Sequence, residues 1–208
     1  IGPASMDEEI LTKMCQEGMD VARLNFSHGT HPEQREKMDL IKRVREKLNL
    51  PIAIMLDTKG PEYRIGTFAA GKVQVEDGAP FTFTARDIQG DETIVSVSHK
   101  SLAQDLAVGD QILVNNGLVV FQVESLEGSD VHCRAVVGGT LSDRKSMSFP
   151  NKVMSGPYLS EQDKADILMG IENDIDFVAA SFVSTKEDAL ALRSFLNANG
   201  VEDIDIIA

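Results

Sequence analysis

The sequence predicts an α/β fold with a parallel sheet, interrupted by an all-β insertion. Three observations predict it. Helix-like and strand-like segments alternate over residues 1–59 and again over 160–208. The strand-like segments, VARLNF (Val21 to Phe26) and IAIMLD (Ile52 to Asp57) among them, are mostly apolar, as strands buried on both faces are. From Gly60 to about Phe149 the helical period vanishes, and short β-rich runs are parted by Gly, Asp and Pro. Such a chain builds either a barrel or a doubly wound sheet. The β-rich zone (residues 60–159) then sits in a loop that follows a strand, where α/β enzymes carry functional additions.

Each element has its own signal. Ser5 with Glu8 reads as a capping box for a first helix, whose Ile10, Leu11, Met14 and Cys15 share a face before Gly18 closes it. VARLNF follows as a strand. Pro32 suits the first turn of a second helix, in which Met38, Ile41, Val44 and Leu48 recur at helical spacing, and Pro51 lies beyond its end. IAIMLD is the next strand. The insertion shows KVQVE (Lys72 to Glu76), FTFTA (Phe81 to Ala85), TIVSV (Thr93 to Val97), QILVN (Gln111 to Asn115), LVVFQV (Leu118 to Val123) and VHCRAV (Val131 to Val136). Asn116-Gly117 between two of these runs is a hairpin signal, and the whole suggests a small antiparallel barrel or sandwich. Ser160 caps a helix with Ile167, Leu168 and Ile171 on it. FVAASF (Phe177 to Phe182) is a strand, Ser184 and Glu187 cap a helix carrying Leu192, Phe195 and Leu196 and ending at Gly200, and IDIIA (Ile204 to Ala208) starts another strand. With a stub at Ile1, the alternating part supplies about five strands, fewer than the eight of a closed (β/α)₈ barrel. The expectation is therefore a truncated chain with unpaired strand edges and exposed apolar faces.

Composition narrows the function. A net charge of −13 opposes non-specific nucleic-acid binding and binding to an anionic membrane surface. No apolar run approaches the roughly 20 residues of a membrane-spanning helix, and IGPASMDEEI lacks the basic and apolar regions of a signal peptide. Cys15 and Cys133 lie far apart, without CxxC spacing, and read as ordinary buried thiols in a reducing cytoplasm.

In a parallel α/β array the chemistry gathers at the carboxyl ends of strands. Those ends carry Arg23, Asn25, Ser27, His28 and Gly29 after one strand, and Asp57, Thr58, Lys59, Gly60, Pro61, Glu62 and Arg64 after the next. Ser181 and Phe182 end a later strand. Arg23, Lys59 and Arg64 are cations in an acidic protein, and an arginine fork suits phosphate oxygens. Asn25, Ser27, Asp57 and Thr58 offer oxygen donors from two strands, which suit a hard cation. Every one of these residues has an ordinary alternative: a strand-end arginine in a surface ion pair, Asp57 as a cap, Asn25, Ser27 and His28 as turn residues. There is no P-loop, no Ser/His/Asp set and no metal spacing among His28, His31, His99 and His132.

Five segments resemble the pyruvate kinase family, in order and in approximate spacing: IGPAS (Ile1 to Ser5), VARLNFSHGTH (Val21 to His31), MLDTKGPEYR (Met55 to Arg64), GIENDIDFVAASFV (Gly170 to Val183) and IDIIA. RLNFSHG and LDTKGPE are the specific ones, and the resemblance spans nearly the whole chain. It implies part of a (β/α)₈ TIM barrel carrying an inserted all-β barrel lid domain, with residues 1–59 and 160–208 in the barrel and 60–159 in the lid. It implies transfer of a phosphoryl group between phosphoenolpyruvate and ADP, giving pyruvate and ATP in glycolysis, in a cytoplasmic homo-oligomer, typically a tetramer. By the same resemblance Asn25, Ser27, Asp57 and Thr58 match potassium ligands. Arg23 matches the catalytic arginine on the phosphoryl group, and Arg23, Asn25, His28, Arg64 and Lys145 match nucleotide-binding positions. Glu62 is the type found in potassium-dependent members, where a lysine would supply the charge internally.

The chain also departs from that pattern. RKSMSFPN (Arg144 to Asn151) stands where the family usually has RKGVNLPG, so Ser146 and Asn151 replace glycines while Lys145 is kept. Ser184-Thr185-Lys186 stands where an Arg-Lys pair commonly follows. The family's Lys-Ile-Glu motif and later aspartate, which supply the essential lysine and the Mg²⁺ ligands, lie outside these residues. The expectation is thus a segment that is inactive alone. The alternatives are a non-catalytic β module, or another barrel enzyme acting on phosphoenolpyruvate or pyruvate, such as a lyase or mutase. RLNFSHG with LDTKGPE opposes the last.

Overall fold

A computed structural model describes residues 1–208. Packing divides them into two compact units, Ile1–Pro61 with Pro157–Ala208, and Glu62–Gly156. The first unit is a parallel sheet of β1 (Val21–Asn25), β2 (Ala53–Asp57), β12 (Phe177–Ala179) and β13 (Asp205–Ile207), in that spatial order. Helices α1 (Glu8–Gln16), α2 (His31–Leu48), α4 (Glu161–Glu172) and α5 (Lys186–Ala198) complete it, so that α2, α4 and α5 each join one parallel strand to its neighbour. This is a curled half-barrel, part of a (β/α)₈ barrel, and the second unit is inserted between β2 and α4.

Side-chain alternation decides which way the sheet faces. Ala22, Leu24, Ile54, Leu56 and Val178 are buried together with Leu11, Met38, Ile41, Val44, Ile167, Leu192 and Leu196 from the helices. Residues of opposite parity are more open, and Val21 and Ile207 on the edge strands are 41% and 49% exposed. Within these residues the helices cover one face of the sheet. Gly170 explains the close approach of α4, since a Cβ there would stand 2.7 Å from Leu56 Cδ1 and 2.8 Å from Ile175 Cδ1.

Two helix starts need correction. Asp7, not Ser5, caps α1 and accepts from the amides of Glu9 (2.9 Å) and Ile10 (3.1 Å). Ser5 ends a short 3₁₀ turn (Pro3–Ser5) and spends its hydroxyl on Gly2, and Ile1 forms no strand. The cap of α5 is Thr185 with Asp188, one residue later than expected, because Asp188 Oδ2 takes the amides of both Ser184 and Thr185 at 2.9 Å. Ile10 and Leu168, expected on core faces, are 44% and 39% exposed, and the buried stripe of α4 runs through Asp163, Asp166, Ile167 and Gly170 instead.

The second unit carries β3 (Tyr63–Arg64), β4 (Lys72–Val75), β5 (Pro80–Thr84), β6 (Ile94–Ser96), the short α3 (Leu102–Asp105), β7 (Gln111–Val114), β8 (Val119–Glu127), β9 (Asp130–Val137), β10 (Gly139–Ser142) and β11 (Ser146–Ser148). Its main sheet runs β3-β11-β7-β8-β9-β5-β6, antiparallel except for β5 beside β6. The two ends meet: Ile65 pairs with Val97, the Gly66 amide donates to Ser96 O at 2.7 Å, and the Ser98 amide donates to Arg64 O at 2.9 Å. The sheet thereby closes on itself as a barrel, which removes its free edges. Asn116-Gly117 does sit in the β7–β8 turn, where Asn115, Asn116 and Gly117 all take positive φ. The sequence reading missed β3, β10, β11 and α3, each only two to four residues long and too short to show a period.

Phe81, Phe83 and Phe121 fill the barrel, with ring centroids 5.0–5.3 Å apart. Both thiols are buried, and burial pushes that of Cys133 up to about 12, so neither is a ready nucleophile. Truncating Phe121 deletes the ring that touches the other two. Phe121→Ala is expected to destabilise this unit by about 3–5 kcal/mol. Far-UV circular dichroism in urea measures this, and a cost below about 1 kcal/mol would show that the three rings are not its core.

Candidate active site

The parallel register levels the strand ends. Asn25 of β1 lies directly beside Asp57 of β2, which lies beside Ala179 of β12. The first residue after β1 is tied across as well, the Phe26 amide donating to Asp57 O at 3.0 Å. Asn25, Ser27, His28, Asp57, Thr58 and Ser181 thus come together at one end of the sheet because the backbone ladder has no freedom to place them elsewhere.

Asp57 organises this row. Its residue is 6% exposed, so its charge needs partners. The Arg23 guanidinium donates to Oδ2, and the Ser181 hydroxyl donates to Oδ1 at 2.7 Å. One carboxylate therefore joins side chains from β1 and from the segment after β12. Arg23 stays 55% exposed beyond that bond, leaving guanidinium donors for an anionic partner. Thr58 is buried and equally committed. Its amide and hydroxyl donate to Ala179 O (3.1 and 3.3 Å), and its hydroxyl accepts from the Ser181 amide at 3.2 Å.

The loop after β1 is a tight turn, with the Ser27 amide donating to Asn25 Oδ1 at 2.8 Å, and His28 is exposed. Gly60 ends the loop after β2 with φ +62°, and a Cβ there would meet Ser181 O at 2.5 Å. Only glycine satisfies both constraints. Phe182 follows Ser181 with φ +61° and is 55% exposed, an uncommon combination for an aromatic residue.

Sequence reasoning missed three buried polar residues that support this end of the sheet. Asp163 is fully buried. Its Oδ2 accepts from Ser160, and its Oδ1 accepts the Gly60 amide at 3.1 Å. Asp166, 2% exposed, bonds through Oδ1 to His31 Nε2 (2.6 Å) and Gln162 Nε2 (2.7 Å). Tyr158 donates its hydroxyl to Ser181 O at 2.9 Å. The signal for the two acids was legible: Asp163, Asp166, Ile167 and Gly170 fall at i, i+3, i+4 and i+7, the inward stripe of α4.

The remaining candidates, Glu62, Arg64 and Lys145, belong to the second unit. Arg64 donates to Glu62 Oε1 and to Arg144 O, each at 2.6 Å. The pairing of β3 with β11 sets Arg64 opposite Ser146, and the Ile65 amide donates to Lys145 O at 3.0 Å. Arg64 on β3 and Lys145, just before β11, are therefore neighbours along the backbone pairing. Asn151 takes φ +60°, so the chain keeps a left-handed backbone there without glycine. Asn is the non-glycine residue that tolerates this best.

The donor set at the first unit fits a monovalent cation: an amide oxygen, hydroxyls and a single carboxylate already balanced by Arg23. No group of three or more His, Cys, Asp or Glu side chains converges to hold a metal ion. No helix is long and apolar enough to cross a membrane.

Fold and site together define a (β/α)-barrel protein with a β-barrel inserted after a barrel strand and a polar site at the strand ends. A family model described as the barrel domain of pyruvate kinase matches residues 1–208. The pyruvate kinases of Clostridium perfringens and Clostridium acetobutylicum are each 44% identical over the whole chain, which covers 44% of their length. Pyruvate kinase 2 of a Synechocystis species is 37% identical, again over the whole chain and over 36% of its own length. The chain belongs to the pyruvate kinase family, and it spans less than half the length of these relatives.

Burial pushes the Tyr158 phenol up to about 12, against a weaker opposing pull from the Thr58 hydroxyl. A phenol whose folded pKa exceeds its unfolded value of about 10 contributes stability below pH 10 and loses it as pH rises toward 12. The chain has two tyrosines and no tryptophan, so absorbance at alkaline pH reads them without interference. Tyr158 is expected to ionise near pH 12, at the upper end of that window, and Tyr158→Phe should remove the late transition. Ionisation of Tyr158 near pH 10 would contradict the buried bond to Ser181.

Proposed function

We propose that this chain supplies the potassium-binding and phosphate-facing part of a pyruvate kinase that transfers a phosphoryl group from phosphoenolpyruvate to ADP. The observation that carries this reading is the Asp57 carboxylate shared by Arg23 and Ser181, in register with Asn25. In the transfer, the bond from phosphorus to the enol oxygen breaks as a bond to an ADP phosphate oxygen forms. The enolate then takes a proton to become pyruvate.

Charge spread over the three equatorial oxygens has to be met by fixed positive charge. Arg23 is suited to meet it, since its ion pair with Asp57 holds one side of the fork and leaves the other donors free. Asn25, Ser27, Asp57 and Thr58 would hold potassium, which adds positive charge beside the same oxygens. Arg23, Asn25, His28, Arg64 and Lys145 are proposed to bind the nucleotide, and Glu62 to set the potassium requirement. Magnesium belongs to the proposed reaction, but no step is assigned to it through residues of this chain. The setting proposed is cytoplasmic glycolysis, in a homo-oligomer, with residues 60–159 as a lid.

A second reading, a non-catalytic β module, is favoured by one observation: the Glu62–Gly156 unit closes its own sheet around its own core. The two readings differ in turnover. A coupled assay for pyruvate, run with phosphoenolpyruvate, ADP and magnesium, is expected to show potassium-stimulated turnover by the intact protein and none by the 208 residues alone. Arg23→Met should lower kcat/KM by about 10²–10³-fold, the usual loss for a donor to developing charge. Glu62→Lys should weaken the stimulation by potassium. Full activity of Arg23→Met, or turnover indifferent to potassium in the unsubstituted protein, would overturn the proposal.

A further inference from the structure

Gln34 is 1% exposed on α2, at i, i+4 and i+7 with Met38 and Ile41, where an apolar side chain would serve the core as well. Its amide faces the loop after β1: Nε2 donates to Asn25 O at 3.0 Å and to His28 O at 2.6 Å. The two carbonyls assign the nitrogen end, since only an amide N–H can serve both, and Oε1 accepts from Lys37 Nζ at 3.3 Å. We infer that Gln34 is a positioning residue that sets the shape, and hence the ligand affinity, of the segment bearing Asn25, Ser27 and His28. The inference rests on the functional reading above.

The geometry accounts for what the loop can offer. With the carbonyls of Asn25 and His28 both taken by Gln34, the span between the first and last candidate ligands is fixed from inside the protein. The Phe26 amide is tied to Asp57 O, and the Ser27 amide to Asn25 Oδ1. Among the side chains, Asn25 Oδ1, through its second lone pair, and Ser27 Oγ are oxygen donors left to a ligand. The chain then leaves the turn through Gly29 at φ +83°, where a Cβ would stand 3.1 Å from Glu33 Oε2. Gln34, Ser27 and Lys59 line one cleft of about 490 Å³, so the amide lies directly behind the loop it braces. Without Gln34 both part-buried carbonyls lose their donor, and the segment is free to rearrange.

Gln34→Met keeps the size and removes both donors. In the intact protein it is expected to raise the half-saturating potassium concentration and the KM for ADP by about tenfold, with a smaller change in kcat. Amide hydrogen exchange over residues 26–30 should quicken by at least tenfold. Val44→Ala, in the same helix but away from the loop, is the control: it lowers stability and leaves both constants unchanged. The inference is overturned if Gln34→Met behaves like Val44→Ala, or if the local exchange quickens while both constants stay put. Should Gln34→Met not fold, Gln34→Asn, one methylene short and able to reach one carbonyl at most, reads the same quantities. If the unsubstituted protein turns over without regard to potassium, the functional reading falls, and the exchange and ADP measurements still decide the role of Gln34.

Discussion

A carboxylate buried at the end of a parallel sheet has to be paired, and Asp57 meets that requirement by drawing on both neighbouring strands. Arg23 comes from β1 and Ser181 from the segment after β12. Removing either partner leaves the Asp57 carboxylate, only 6% exposed, with one donor fewer. The arrangement of the site follows from this. Arg23 cannot rotate freely while Asp57 holds it, Ser181 cannot leave while its hydroxyl is donated, and Thr58 is fixed through the same segment. The parallel ladder does the rest, because a slip of one residue would turn Arg23 and Asp57 to the opposite face.

Around that row the loops are held from behind by buried polar groups, two of them on the inward stripe of α4. Asp163 takes the Gly60 amide, Asp166 takes His31, and Tyr158 holds Ser181 O. Each is a buried polar group that contributes less to stability than a well-packed hydrocarbon would, and more to a single geometry. Gly60 shows the same preference in the backbone: its left-handed φ and the 2.5 Å that a Cβ would leave to Ser181 O give glycine no competitor. The loops of the first unit are therefore specified by hydrogen bonds rather than by packing volume.

The sequence made the strands and the location of the site legible for a physical reason. Apolar runs such as AIMLD bury one face, and strand ends in a parallel array carry polar residues, so Arg23, Asn25, Asp57 and Thr58 stood out. It did not make the caps legible to the residue. Ser5 has the right chemistry for a cap, but its hydroxyl goes to Gly2, and Asp7 wins because a carboxylate two residues later reaches the amides of Glu9 and Ile10. Likewise Asp188 reaches two amides at once and so moves the start of α5 to Thr185. Strands β3, β10 and β11 escaped because two to four residues show no period. β3 and β11 follow from closure of the main sheet, through Ile65 and Val97, and β10 from its pairing with β4, and both are tertiary properties. The buried acids of α4 were visible in principle, since Asp163 and Asp166 sit on the inward stripe. Reading only apolar residues along that stripe hid them.

The two units bury their sheets differently. The inserted sheet closes, and its Phe81, Phe83 and Phe121 cluster lies in an interior with no polar demand on it. The half-barrel leaves β1 and β13 with neighbours on one side only, and its open face is the one that bears Arg23, Asn25 and Asp57. On the helix-covered face, Ala22, Leu24, Ile54, Leu56 and Val178 supply the burial that stabilises the strands. On the other, the same strands carry Arg23, Asn25 and Asp57 at alternate positions. The period of two along a β-strand thus divides the core residues from those of the candidate site, and Asp57, polar yet buried, is the position where the two meet.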